Sequence, residues 1–220
     1  MLVKPVRRIN YTISDGDKGI YDTVAYMWHY ALRDTEEALV KQLVSSLKGK
    51  NDLQTIKNIY DWVWRNVKYK NDPLGYEMIT APIHYVNGNR STGDCDCMTT
   101  LLVCLLEASG FDCSIVVIAW RLKAYTHVFA EVWYKDSWFI LDSTLQANGF
   151  GRQDKKIKRY RRFTKGDMAK LQVLSDTRSV LDVQSPFAIA GAKRVSGRNR
   201  CCPSRDDLNK NANNINRCRR

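Results

Sequence analysis

The sequence predicts a protein of the α+β class, in which helices and an antiparallel sheet follow one another along the chain. Three features lead to this prediction. Apolar residues recur at helical spacing in three segments of the first 67 residues, a long apolar segment begins at Cys95, and three strand-like runs lie between residues 113 and 143. Because short turns join the last runs, a helical crossover does not fit between them, and the sheet is expected to be small and antiparallel.

Three amphipathic helices are predicted before the central one. They cover roughly residues 20–33, 34–47 and 53–67. The first has a stripe of apolar residues at helix-compatible spacing, formed by Val24, Met27, Trp28 and Ala31. The acidic residues 34–37 suit the first turn of the second helix, because negative charge is favourable at a helix N-terminus. Residues 68–94 are rich in turn-forming residues, and a long irregular segment in a small domain is usually functional.

The segment from Cys95 to about Ser109 is apolar on nearly every side, which is typical of a buried central helix. Gly110 is well suited to end that helix. The strand-like runs 113–120, 127–134 and 138–143 follow, and residues 135–137 read as a hairpin turn between the last two.

The charged residues are distributed unevenly along the chain. Residues 151–220 contain 19 Lys and Arg against 6 Asp and Glu, whereas residues 1–150 contain 16 against 17. We therefore predict an extended arm at 1–15, a folded domain at 16–150 and a basic C-terminal extension at 151–220, partly without a core of its own. The extension is expected to bind neighbouring subunits, nucleic acid or another acidic surface through residues 152–165.

Composition also restricts the location of the protein. Its apolar stretches are too short to span a bilayer, and the N-terminal residues do not resemble a signal peptide. Seven cysteines is an odd number, which favours free thiols in a reducing compartment over a disulfide framework. We expect a cytoplasmic protein without membrane contact.

The residues Gly93-Asp94-Cys95 carry the strongest chemical signal. A cysteine that opens a hydrophobic helix lies at the positive end of the helix dipole, which stabilises a thiolate. Its backbone N–H is not used within the helix and is available to stabilise an oxyanion. This one helix start is therefore predicted to supply both a nucleophile and one donor of an oxyanion hole.

A thiolate that transfers acyl groups also needs a base, and His127 is the best candidate. His127 begins a predicted strand, and Asp142 lies on the next one. If Tyr134 stands opposite Ser137 across a two-residue turn, Asp142 stands opposite Phe129 and on the same sheet face as His127. The sequence thus predicts Asp142 as the group that orients His127.

These residues resemble the transglutaminase-like proteins, in the branch often found in phage and prophage genomes. The shared motifs are Gly93-Asp94-Cys95, His127-Val128 and the run from Trp138 to Asp142, with further likeness at 61–69 and in the approach to the cysteine. The resemblance covers roughly residues 16–146. It implies a papain-like fold with a central helix on a small antiparallel sheet, and a catalytic triad of Cys95, His127 and Asp142.

Two positions depart from that branch. Cys97 stands where an aspartate is usual, and on a helix it points about 200° away from Cys95, so both thiols cannot face one histidine. The resemblance assigns the nucleophile to Cys95. The second oxyanion-hole donor is not identified; Asn87, Asn89 and Arg90 are candidates in the preceding loop.

A zinc site is the alternative interpretation of the cysteines. Cys95 and Cys97 together with the three cysteines after residue 200 match no common zinc spacing, so no metal and no cofactor are expected. His29 and His84 are expected to be structural or loop residues.

The predicted function is a cysteine-dependent acyl transfer on amide bonds through a thioester, with a protein or peptide as substrate. A peptidase or amidase is favoured over amine transfer, because no amine-binding site is evident. The resemblance to a phage branch implies a location in the cytoplasm of the host cell or in the virion. The alternative is a structural or adaptor protein of a phage particle that uses the same fold and binds other virion proteins, with its basic tail binding neighbouring subunits or nucleic acid.

Overall fold

The central element of the molecule is a helix enclosed by other helices on one side and a four-stranded sheet on the other. The computed structural model describes residues 17–73, 77–121, 125–145, 149–152 and 156–168. The predicted N-terminal arm and most of the basic extension therefore lie outside the described residues. The mixture of helices and a small antiparallel sheet confirms the α+β class.

Helices α1 (Asp17–Asp34), α2 (Ala38–Ser46) and α3 (Asp52–Asn66) occupy the first part of the described chain and pack against α5 (Cys95–Ala108). The predicted apolar stripe of α1 is fully buried, and α3 buries a similar stripe. α3 begins where the side chain of Asn51 accepts a hydrogen bond from the backbone N–H of Gln54. These helices cover one side of α5.

α5 is the buried central helix that the sequence predicts. Asp94 is its N-cap, and every residue from Cys95 to Leu106 is buried. Gly110 follows the helix with a φ of 84°, a conformation that glycine adopts without a steric penalty. A helix buried on all sides cannot shift easily, so the position of its first residue is well fixed.

The sheet has the order β5–β4–β3–β6, and all neighbouring strands are antiparallel. Its strands are β3 (Cys113–Ala119), β4 (His127–Tyr134), β5 (Ser137–Leu141) and β6 (Arg159–Thr164). Alternate residues of β3 and β4 pack into the main core with α5. On the other face Val116, Ile118 and Phe129 form a smaller apolar cluster.

The hairpin between β4 and β5 has the predicted register. Tyr134 stands opposite Ser137, and Ala130 stands opposite Leu141. Lys135 and Asp136 have φ values of 48° and 59°, as a two-residue type I′ turn requires. This register places Asp142, the residue after β5, level with Phe129.

Strand β6 was not predicted. In the sequence its residues form a basic run, yet they pair with β3, and Phe163 is buried in the main core. The sheet therefore includes residues from the range assigned to the basic extension. The division at residue 150 remains a prediction.

The irregular segment before α5 is fixed by a short pair of strands and a short helix. β1 (Lys68–Tyr69) pairs in parallel with β2 (Thr92–Gly93), and a short helix, α4 (Ile83–Val86), lies between them. The β1–β2 pairing brings Tyr69 beside Gly93, immediately before the start of α5. Within the described residues no helix is both long and apolar enough to cross a membrane.

Candidate active site

His127 and Asp142 form a buried pair at one end of the sheet. Nε2 of His127 and Oδ2 of Asp142 are 2.7 Å apart, and their side chains are 1% and 7% exposed. The two residues belong to one sheet face because of the register of the β4–β5 hairpin. The structure thus brings together two of the three residues that the sequence singled out.

Asp142 is held by donors other than the histidine. The backbone N–H of Thr144 donates to Oδ1 at 3.1 Å, and the Thr144 hydroxyl donates to the same oxygen at 2.6 Å. The hydroxyl of Tyr60 lies 3.1 Å from the carbonyl oxygen of Asp142. Burial acts to raise the pKa of Asp142, but His127 and the Thr144 donors outweigh it and hold that pKa below its ordinary value. Asp142 is therefore ionised at neutral pH.

The imidazole of His127 is fixed by aromatic side chains. The ring of Trp120 stacks on it at a centroid distance of 5.4 Å and an interplanar angle of 19°, and Phe129 contacts it at 6.2 Å. Nδ1 is buried and has no hydrogen-bond partner in the described part of the chain. With Nε2 directed at Asp142, Nδ1 is the nitrogen that remains to exchange a proton with another group. Trp120 and Thr144 were not recognised in the sequence as part of this arrangement.

Cys95 begins α5 and is 3% exposed. One turn further along this helix, the hydroxyl of Thr99 donates to the carbonyl oxygen of Val128 at 3.3 Å. Since Val128 follows His127, this bond ties the first turns of α5 to the beginning of β4. Cys95 is disulfide-bonded in the structure, whereas Cys97, Cys104 and Cys113 are free thiols. The prediction that the cysteines are free thiols is confirmed for those three cysteines but not for Cys95.

The glycine before this helix has a packing reason. A Cβ on Gly93 would collide with the hydroxyl of Tyr85 and lie 2.7 Å from Cβ of Cys97. A side chain there would push away the start of α5 or the neighbouring tyrosine. The glycine of the Gly93-Asp94-Cys95 motif is thus needed for close packing at the beginning of the helix.

Cys97 lies in a different environment. Its sulfur donates to the carbonyl oxygen of Met78 at 3.0 Å and accepts from the N–H of Thr80 at 3.3 Å. Burial, together with the charge of Asp94, raises the pKa of the Cys97 thiol to about 12. Cys97 therefore fastens the segment at residues 78–80 to the helix as a neutral thiol.

Residues 38–143 match the sequence model of a family described as the transglutaminase-like superfamily. The matched range includes Cys95, His127 and Asp142. Residues 38–143 form a transglutaminase-like domain. This match supports a cysteine-dependent enzyme in general terms. No curated protein is similar enough in sequence to match the chain.

Two solved structures resemble the chain. One is a candidate cysteine protease from Cytophaga hutchinsonii, with 21% identity and a TM-score of 0.40, over 57% of this chain and 46% of that one. The other is a candidate protease from Parabacteroides distasonis, with 12% identity and a TM-score of 0.44, over 62% of this chain and 35% of that one. The chain thus spans less than half the length of either protein.

The transglutaminase-like domain has a concentration of buried carboxylates around the start of α5. Asp94 and Asp96 are 6% and 1% exposed. Burial, and then the charge of Asp94, raises the pKa of Asp96 well above its ordinary value. Burial and the charges of Asp94 and Glu77 raise the pKa of Asp72 to about 8. These raised pKa values favour the protonated, neutral forms of Asp72 and Asp96 at neutral pH.

Tyr69 is another residue whose position the sequence did not predict. Burial raises the pKa of its phenol, and the charges of Asp94, Asp96 and Asp142 raise it further. The phenol is therefore neutral and lies within electrostatic range of both the α5 start and the His127–Asp142 pair. The β1–β2 pairing that places Tyr69 there is too short to predict from the sequence.

A cavity of about 210 Å³ adjoins this region, lined by Lys70, Asn71, Asp72, Pro73, Met78, Arg90 and Thr92. Of the three loop candidates for an oxyanion donor, Arg90 lines the cavity and donates from Nε to the carbonyl oxygen of Thr92 at 3.1 Å. Asn87 is exposed and accepts from the N–H of Asn89. Arg90 thus borders the cavity and neither asparagine does; the second oxyanion-hole donor remains unassigned.

The other histidines lie apart from His127. His29 is exposed on α1 and contacts the ring of Tyr30. His84 is buried on α4. Burial lowers its pKa, although the charge of Asp34 acts in the opposite direction. Neither is part of the His127–Asp142 arrangement.

Proposed function

We propose that the chain is a thiol-dependent acyl-transfer enzyme that cleaves amide bonds, with Cys95, His127 and Asp142 as its catalytic residues. The observation that carries this proposal is the buried His127–Asp142 pair with Nδ1 left over for a further partner. A histidine oriented by a carboxylate is the base that a cysteine nucleophile needs. The transglutaminase-like match over residues 38–143 supports the same class of enzyme.

The reactive form is the reduced enzyme, because Cys95 is disulfide-bonded in the structure. In that form Nδ1 of His127 accepts the thiol proton of Cys95 while Asp142 keeps the proton on Nε2. The thiolate attacks the amide carbonyl carbon, and the backbone N–H of Cys95 donates to the oxyanion that develops. His127 then gives its proton to the leaving amine, and the acyl group remains on Cys95 as a thioester.

Water or an amine can take the acyl group from the thioester. We propose hydrolysis, and therefore a peptidase or amidase, because the cavity beside this region presents charged and polar groups to water and includes no evident amine-binding pocket among its lining residues. In this step His127 removes a proton from the attacking water and returns it to the sulfur. The substrate would be a protein or peptide.

The contribution of the basic segment remains a prediction. Three arginines of β6 already stack on aromatic rings of the domain: Arg159 on Tyr125, Arg161 on Tyr21 and Arg162 on Trp138. These contacts support a structural role for part of the range 152–165, and they reduce the number of its cations that face an acidic partner. A role in a virus particle has no support beyond the resemblance itself.

Selective alkylation tests the proposal. The full chain is reduced, treated with iodoacetamide at neutral pH for increasing times, and mapped by mass spectrometry. We expect Cys95 to react before the other six cysteines, and the selectivity to be lost in His127→Ala. Omission of the reductant should abolish labelling of Cys95 and serves as the matched control.

Equal labelling of all reduced cysteines, or a Cys95 rate that His127→Ala leaves unchanged, would overturn the proposal. To separate hydrolysis from amine transfer, reduced protein is incubated with a glutamine-containing peptide library in H₂¹⁸O, with and without a primary amine. Products that depend on Cys95 and contain ¹⁸O support hydrolysis; products that contain the amine contradict it.

A further inference from the structure

The cavity beside the start of α5 has a lining that the proposed reaction does not use. Lys70 borders it, and the backbone N–H of Lys70 donates to the carbonyl oxygen of Gly93 at 2.9 Å. Thr92, which also lines the cavity, precedes Cys95 by three residues. Since consecutive Cα atoms are about 3.8 Å apart, the Cα atoms of Thr92 and Cys95 are separated by at most about 11 Å. An extended peptide advances about 3.3 Å per residue, so a substrate bound at Cys95 reaches the cavity within about four residues.

Two basic side chains border this cavity without a carboxylate partner. Within the ranges that the structure describes, none of the ion pairs involves Lys70 or Arg90. Nε of Arg90 donates to the carbonyl oxygen of Thr92 at 3.1 Å, which fixes the guanidinium at the wall of the cavity. Its two Nη nitrogens are left for another acceptor. A guanidinium held in this way is prepared to bind an anion.

The acidic residue of the lining, Asp72, does not neutralise these cations. Its Oδ2 accepts a hydrogen bond from the backbone N–H of Met78, so this carboxyl group holds the two sides of its own loop together. Burial and the charges of Asp94 and Glu77 raise the pKa of Asp72 to about 8. Asp72 is therefore mainly protonated at pH 7, and the lining is positively charged.

A positively charged cavity favours an anionic group, and a volume of about 210 Å³ admits a side chain rather than a folded surface. A carboxylate is the anion that a peptide substrate carries, and its planar shape matches two parallel N–H donors of an arginine. We propose that Arg90 and Lys70 bind a substrate carboxylate in this cavity, so that the enzyme prefers peptides with an acidic group within about four residues of the cleaved amide.

This carboxylate belongs either to an Asp or Glu side chain of the substrate or to the end of its chain. Its placement relative to the cleaved bond rests on the proposed function. The binding of a carboxylate by Arg90 and Lys70 does not, so binding and cleavage are tested separately.

NMR titration of the ¹⁵N-labelled, reduced Cys95→Ser chain measures binding without turnover. The probes are N-acetyl-glutamate α-amide and its uncharged counterpart, N-acetyl-glutamine α-amide. We expect the acidic probe to shift the Nε–H signal of Arg90 in a saturable manner at millimolar concentration, and the neutral probe to leave it unchanged. N-acetyl-alanine, which carries only a terminal carboxylate, distinguishes the two sources: the probe that binds more tightly identifies which carboxylate the cavity takes.

Arg90→Met should weaken binding of the acidic probe about tenfold or more, because it removes a charged donor. Lys70→Met, at an exposed residue, should weaken it by a smaller factor and replaces Arg90→Met if circular dichroism shows that variant to be unfolded. The matched control is Arg65→Met, since Arg65 is 69% exposed and does not line the cavity. It should bind the acidic probe like the parent chain.

The affinity should also depend on pH. Asp72 ionises as the pH rises through about 8, and its negative charge then competes for the cations and repels the probe. Glu77 and Asp94 are the other carboxylates that act on Asp72, and Arg90 is the cation that does. Binding should therefore weaken between pH 7 and pH 9, and less so in Asp72→Asn. An affinity that rises over this range would count against the site.

Cleavage is measured on the reduced wild type with peptides that differ only in Glu or Gln near the cleaved bond. We expect kcat/KM to be about tenfold or more higher for the Glu peptide, mainly through KM, and this ratio to approach one in Arg90→Met. Equal shifts by both NMR probes, or full binding in Arg90→Met and Lys70→Met, would overturn the inference. Cleavage without a preference for Glu would overturn it while the proposed function stands. Carboxylate binding without any cleavage would support the cavity as a binding site and refute the proposed function.

Discussion

Thr144 donates two hydrogen bonds to a single oxygen of Asp142, one from its backbone N–H at 3.1 Å and one from its hydroxyl at 2.6 Å. The other oxygen of Asp142 faces Nε2 of His127. Each oxygen of the carboxylate therefore has its own set of partners. Since a backbone N–H cannot become an acceptor, the side of Asp142 that faces Thr144 must remain an oxygen.

This arrangement predicts the effect of Asp142→Asn. The amide oxygen will face Thr144, so the amide NH₂ will face Nε2 of His127 and drive the ring proton onto Nδ1. That tautomer cannot accept a proton from Cys95, and Cys95 is expected to revert to an ordinary thiol with only a few per cent thiolate at pH 7. Its alkylation rate on reduced protein should fall about tenfold or more.

Asp136→Asn is the matched control for this variant, because Asp136 lies in the β4–β5 turn. The tautomer can be read independently from the ¹⁵N shifts of the ring. An alkylation rate within about twofold of the wild type would contradict the assigned role of Asp142.

Cys97 should be inert at neutral pH. In a Cys95→Ser background its thiol keeps the contacts with Met78 and Thr80, and its pKa of about 12 leaves almost no thiolate at pH 7. The rate of Cys97 alkylation, followed by mass spectrometry, is expected to rise about tenfold per pH unit through the alkaline range in which the fold persists. Rapid labelling of Cys97 at pH 7 would show that the two thiols have been assigned the wrong way round.

Trp120 is expected to position His127. Stacking of an indole on an imidazolium contributes about 0.5–1 kcal/mol, which corresponds to roughly a two- to fivefold change in rate. Trp120→Leu should lower the alkylation rate of Cys95 by that factor at neutral pH, and Trp120→Phe should restore most of it. Trp133→Leu, at a residue that is 42% exposed on the same sheet, is the control. Equal losses in the Leu and Phe variants would exclude a role for stacking.

The acid stability of the protein should depend on Asp142. Its pKa in the folded state lies below the value of about 3.9 that aspartate has in an unfolded chain. Its ionised form therefore stabilises the fold above pH 4, and this contribution is lost as the pH falls through the folded pKa. The difference in unfolding free energy between wild type and Asp142→Asn, from urea titrations between pH 7 and pH 3, should decrease below about pH 4. A constant difference would contradict the lowered pKa.

Arg162 tests whether β6 is an integral part of the fold. Glu131 is buried in the sheet and accepts hydrogen bonds from Nε of Arg162 at 2.6 Å, from the Tyr160 hydroxyl at 2.6 Å and from the Ser114 hydroxyl at 3.0 Å. Arg162→Met leaves this carboxylate without its cation and should cost about 2–4 kcal/mol of unfolding free energy, less than for a fully buried pair because Arg162 is one-third exposed.

Arg65→Met is the matched control, since Arg65 is 69% exposed and lies 3.9 Å from Asp61. It should change the unfolding free energy by no more than about 0.5 kcal/mol. An effect of Arg162→Met as small as that of the control would mean that β6 does not depend on the Glu131 contacts.

The sequence by itself determined the three N-terminal helices, the buried character of α5 and the β4–β5 hairpin. These features depend on local periodicity, on Gly110 after the helix and on a two-residue turn, all of which operate within a few residues. The register expected for a two-residue turn places His127 and Asp142 on one face of the sheet, and the structure has this register.

Only the tertiary structure decided the rest. The pairing of β6 with β3, the stacking of Trp120 on His127 and the contacts of Thr144 and Tyr69 depend on chain segments that are distant in sequence or on side-chain directions. The basic residues of β6 concealed a strand because a segment at the edge of a sheet can expose alternate charged side chains. The burial of the Asp96 carboxylate likewise became visible only in the structure, since sequence shows which groups are present and not which of them lose their contact with water.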